Sequence, residues 1–238
     1  MGSFFRIVLL AAASFMTLPL AMAADALTEA VQNSYPPYRA ALFKTSSKSQ
    51  AESRESLRQA RDAWARVVVP LGAKPPAPYD RDMQLATTIA AVDKAYTQAA
   101  AEIEQDKLEQ AHETLEEVRG LLAEMRKRNN VVVFSDHMNA YHSAMEHVLK
   151  DGSKMLAEPN GVLQLMASVG VLDYLARRLG SDSPPVLSSN AEFLDLTKAV
   201  AASVDALKGA LLAGNMEGVK TSLGALKKSY ARLFIKFG

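Results

Sequence analysis

Two proline-rich stretches interrupt this chain: Pro70 to Asp80, with Pro75, Pro76 and Pro78, and Gly180 to Asn190, with Pro184 and Pro185. Proline lacks a backbone donor and its ring clashes with the preceding turn, so neither stretch can continue a helix. Elsewhere apolar residues recur at helical spacing nearly throughout, with alanine-rich filling and few β-branched runs. The exception, Val131 to Val133, reads as the end of a linker. Residues that cap free helix N–H groups stand where helices would begin: Asp25, Asp80 or Asp82, Asn190 and Asn215. Eight helical segments are expected.

The two prolyl interruptions lie about 109 residues apart, a spacing that points to an internal repeat. Leu108 to Met125 can be laid over Met216 to Leu233, matching Leu115 with Leu223, Val118 with Leu226 and Ala123 with Ala231. Tyr38, Arg39, Ala41 and Leu42 likewise fall on Tyr141, His142, Ala144 and Met145. Alanine and leucine align easily by chance, so the shared order of helix, helix, Pro-rich loop, helix, helix carries more weight. The expected fold is all-α: two tandem up-down four-helix bundle halves, residues 24–130 and 131–238. Helices of about 20 residues would each be about 30 Å long.

Residues 1–23 have the layout of a cleaved signal peptide: Arg6, an apolar run from Ile7 to Leu20, and small residues at Ala21 and Ala23. The run is shorter than the roughly 20 residues a spanning helix needs. The expectation is a periplasmic protein with no membrane insertion after cleavage. Lysine and arginine number 27 against 26 acids, so losing Arg6 leaves zero net charge and no field favouring nucleic acid. The absence of cysteine excludes disulfides, thiolate zinc sites, iron–sulfur clusters and covalent CxxCH haem attachment. Stability must then come from core burial.

Each half resembles the exported four-helical cytochromes of the cytochrome c prime type, through its length of about 105 residues and a last helix ending Lys227-Lys228-Ser229-Tyr230-Ala231-Arg232. The resemblance implies the bundle and not the haem, because the CxxCH motif is absent. A noncovalent haem would need a Met or His on a first helix facing a His on the fourth helix of the same half. Neither half supplies that pair.

Three of the four histidines fall in Ser135 to His147. Thioether and imidazole suit copper, while imidazole with carboxylate suits zinc, nickel or iron. At about 100° per residue, His137, His142 and His147 are successively about 140° apart and cannot share one ion from a regular helix. Met138, His142 and Met145 converge within about 60°, with Glu146 about 40° from His142. The same positions also fit an ordinary core stripe of Phe134, Met138, Tyr141, Met145 and Val148, in which methionine fills gaps. His142 would then flank the stripe and His147 would face water. Residues Asn129 to Asp136 are readable as a break or as continuous helix, and a break would let this face meet Glu109 or His112 of the first half.

The remaining histidine, His112, follows Glu109 in an ExxH spacing, but the second ExxH that di-iron bundles need is missing. His112 is expected in a solvent-edge charge network. Arg126-Lys127-Arg128 is expected to close a helix, where cations complement the dipole. Trp64 and the run Tyr230, Leu233, Phe234, Phe237 are expected in the core. No GxSxG, HExxH or phosphate-loop motif occurs. The preferred expectation is therefore an exported, noncatalytic protein that binds or handles a transition metal, copper first, then zinc, nickel or iron. Its candidate ligands are Met138, His142 and Met145, with Glu146, His137 and His147 as outer candidates. The alternative is a metal-free periplasmic binding, sensor or scaffold module that takes an envelope protein or small molecule in a groove between the halves.

Overall fold

A computed structural model describes residues 25–69 and 75–238; the expected signal peptide at 1–23 lies outside them. Among the described residues every regular element is helical: α1 (Ala26–Ser46), α2 (Gln50–Val68), a 3-10 turn (Tyr79–Arg81), α3 (Leu85–Glu104), α4 (Leu108–Arg128), α5 (Phe134–Ala157), α6 (Gly161–Ser181), the single turn α7 (Pro185–Ser188), α8 (Ala191–Leu212) and α9 (Met216–Phe237). The eight expected segments are present, and the second prolyl stretch adds α7, where Pro185 occupies the first helical position that tolerates it.

The caps follow the sequence at three of four places. Asp25 accepts from Thr28 N at 2.8 Å, Asn190 from Phe193 N at 3.0 Å and Asn215 from Gly218 N at 2.9 Å. Replacing Asn190 with alanine is expected to cost about 1 kcal/mol, read from the urea midpoint at unchanged slope. The fourth expectation needs correction. Helix α3 begins at Leu85, beyond both Asp80 and Asp82. Asp82 accepts from Gln84 N at 2.9 Å just ahead of α3 and also from Asn129 Nδ2 at 2.8 Å and Arg128 Nη2 at 3.0 Å, fastening the end of α4 to the turn before α3.

Helix α1 packs on α2 and α4, and α3 on α2 and α4; α6 packs on α5 and α8, and α9 on α8 and α5. The buried positions recur at matching intervals. On α3, Leu85, Val92, Tyr96, Ala99 and Ile103 are buried, as are Phe193, Val200, Val204, Leu207 and Leu211 on α8. Ala111, Val118, Leu122 and Met125 of α4 have counterparts in Val219, Leu226, Tyr230 and Leu233 of α9. Tyr38 and Leu42 of α1 have theirs in Tyr141 and Met145 of α5. Trp64 is buried as expected, with its indole N–H on Asp93 at 2.7 Å.

A break separates α4 from α5. Asn130 adopts φ 54°, a left-handed conformation that asparagine tolerates, and Val131 to Val133 carry the chain to Phe134. Asp136 then accepts from Val133 N at 3.1 Å, closing the start of α5. The same carboxylate takes Arg126 Nε at 3.0 Å on both oxygens. Arg126, Lys127 and Arg128 close α4 as expected, and of the three Arg126 is buried, its side chain 1% exposed.

Helices α1 and α9 also touch, and the apolar core runs without interruption through all eight long helices. Arg39 of α1 donates to the Phe234 carbonyl at 3.2 Å. The Arg119 guanidinium of α4 lies over the Phe234 ring, 5.1 Å from its centre. Helices α1 and α4 thus face α5 and α9 across a groove of about 920 Å³.

Candidate functional site

Two imidazoles and one carboxylate meet in this groove. His142 projects from α5, and its Nε2 lies 3.9 Å from Glu116 Oε2 on α4. One turn earlier on α4, His112 Nε2 lies 3.7 Å from Glu116 Oε1. The ring of His112 is fixed from behind: its Nδ1 is 3.1 Å from the Leu42 carbonyl and 3.3 Å from the Thr45 hydroxyl. A carbonyl can only accept, and the Thr45 hydroxyl proton is directed at Ala41 O and Leu42 O. His112 therefore carries its proton on Nδ1, which in the neutral ring leaves the Nε2 lone pair toward Glu116. His112 stands in a partly exposed charge network with Glu116 and Arg119, as expected, and α4 also turns its ring onto the carbonyl end of α1.

Arg119, 7% exposed, holds Glu116 from the other side, with Nη2 3.1 Å from Oε1 and Nη1 2.9 Å from Oε2. His142 lies against Tyr230, ring centres 5.3 Å apart at 33°. Burial, followed by the positive charges of Arg119 and Lys227, lowers its pKa to about 3, so the ring is neutral at ordinary pH. Its Nδ1, both amide atoms of Asn139 and Arg119 Nε are buried without a hydrogen-bond partner in the protein.

The other expected ligands disperse. Met138 is fully buried, and its carbonyl accepts from Tyr230 Oη at 3.2 Å. Met145 is equally buried and also lines the groove. Tyr141 and Val148 complete the buried stripe, while Phe134, partly buried, packs on Phe193 at 5.6 Å. Glu146 reaches the groove wall, 3.6 Å from Lys227 Nζ. His137 points elsewhere, 3.8 Å from Asp182, and His147, half exposed, pairs with Asp151 at 3.0 Å. Among the described residues no three His, Asp or Glu side chains stand close enough to hold a metal ion as placed.

The ExxH spacing on α4 drew attention to Glu109 and His112, whereas Glu116 and Arg119, which complete the arrangement, carry no motif. Their spacing of three and four from one another and from His112 was the available signal, since residues so placed share a helix face.

Compared with known proteins, the chain matches no family model, no curated protein and no solved structure.

Proposed function

We propose that this chain is an exported, noncatalytic protein of two tandem up-down four-helix units that binds a metal ion in the groove between them. Periplasmic export rests on the pattern of residues 1–23, and the tandem reading rests on the matching burial of α3 with α8 and α4 with α9. The observation that carries the function is the chemistry of the groove. His112, His142 and His147 line it together with Glu109, Glu113, Glu116 and Glu146, drawn from both halves. No nucleophile, base and orienting partner stand together here, so retention rather than turnover is the activity proposed.

Elemental analysis tests it. Residues 24–238 are equilibrated with copper, zinc, nickel and iron in turn and then desalted. One metal is expected at near one ion per chain, and retention of none overturns the reading.

A metal-free groove ligand is the second reading. Its specific support is Arg119, which already supplies Glu116 with a positive charge. Under that reading no ion is retained, and a small organic molecule or an envelope protein raises the melting temperature instead.

A further inference from the structure

We propose that the ion is held across the two halves by His112, Glu116 and His142, and that it is a divalent ion of the zinc class rather than copper(I). This rests on the groove being a metal site, and it assigns a ligand set in which the methionines of α5 have no part.

The argument begins with lone pairs. Metal-bound histidines usually donate their other ring N–H to a carbonyl or carboxylate, which fixes the tautomer and aims the ring. His112 has this arrangement toward Leu42 O. Its Nε2 faces a carboxylate oxygen at 3.7 Å, too far for a hydrogen bond. In the neutral ring a lone pair and a carboxylate oxygen face each other there with no hydrogen bond joining them. The second oxygen of the same carboxylate faces His142 Nε2 at 3.9 Å. Around an ion with bonds of about 2.0 to 2.2 Å, neighbouring ligand atoms stand roughly 3.0 to 3.5 Å apart. Movements of about half an ångström bring each imidazole–carboxylate pair into that range. The side chains of His112 and Glu116 are each 31% exposed, leaving them room to move.

The donor set then decides the ion. Two imidazoles and a carboxylate suit divalent zinc, nickel, cobalt or iron, whereas copper(I) is selected by soft sulfur. Both methionines are fully buried: Met138 lies in the core stripe, and Met145 lines the groove with no exposed surface. Arg119 holds both Glu116 oxygens from the other side, which keeps the carboxylate aimed at the two rings. His142 Nδ1 lacks a protein partner, so His112 is the anchoring ligand and His142 closes the site from the second half.

The test compares zinc retention by the full mature chain with that of His112→Gln, Glu116→Gln, His142→Gln and the Met138→Leu/Met145→Leu double variant. Far-UV circular dichroism reports folding of each, and leucine is volume-matched to methionine. Cobalt(II) absorption gives an independent readout of the ligands. The wild type is expected to retain one zinc per chain. Each His or Glu variant should bind roughly tenfold or more weakly, and the methionine variant should bind as wild type. Cobalt should show nitrogen and oxygen coordination without sulfur charge transfer. If the wild type retains no ion, the metal reading itself falls. If it retains zinc that survives in His112→Gln and Glu116→Gln, only this ligand set is overturned. Preferential retention of copper(I) that is lost in the methionine variant would return the site to Met138 and Met145.

Discussion

Replacing Asp136 with asparagine is expected to lower the unfolding free energy by roughly 3 kcal/mol, the lower end of what breaking a buried ion pair costs. The Arg126 side chain is 1% exposed and Asp136 23%, so the variant leaves a desolvated guanidinium facing a neutral amide. Asparagine keeps the shape and can still accept from Val133 N, so the loss reports the charge rather than the cap. Arg126→Met should cost less, because removing the buried cation leaves Asp136 near water, which can solvate it. The double variant should lose less than the two single losses added together, since the partners act as one unit. Urea unfolding of the four proteins measures the cycle. Additive losses would show that the pair is not coupled.

Acid should destabilise the metal-free protein through His142. Its pKa falls to about 3 from an ordinary 6.5 because burial and neighbouring cations disfavour the charged ring. Below pH 6.5 the unfolded chain takes up a proton there that the folded chain refuses. The contribution is therefore fully present above pH 6.5 and is lost as pH falls toward 3. Between pH 7 and 4 the loss from this residue is on the order of 2 to 3 kcal/mol. The ring is 20% exposed, and water reaching it keeps the effect toward the lower figure. In His142→Gln, urea midpoints plotted against pH should be flatter over that interval. Parallel profiles for the two proteins would show that another group carries the acid sensitivity.

The helical architecture was legible because its signals are local. Asp25, Asn190 and Asn215 cap where sequence alone places them, and the stripe Met138, Tyr141, Met145, Val148 is buried as its spacing demands. The site was only partly legible because it is built across helices. Spacing on α5 alone puts His142 beside Met138 and Met145. Packing divides them, sending Met138 into the core and the His142 ring toward α4. The role of His112 depends on the Leu42 carbonyl, which belongs to a different helix and has no side-chain signature. Arg39, Arg119 and Arg126 look like surface charges in any window of sequence, and all three are buried where α1 and α4 meet α5 and α9. Asp82 was half legible for a related reason: it meets the residue before its own helix through Gln84 N, and its bonds to Arg128 and Asn129 at the end of another helix have no local signal.

The Arg126–Asp136 pair also bears on the order in which the molecule assembles. Its members are only ten positions apart, so closing that loop costs little chain entropy. The groove between α1, α4, α5 and α9 depends on Tyr230 and Phe234, nearly a hundred residues further on. As the chain emerges, α5 can be pinned against the end of α4 while α8 and α9 are still unmade. The later helices then close onto an α5 already held at its start by one short-range contact.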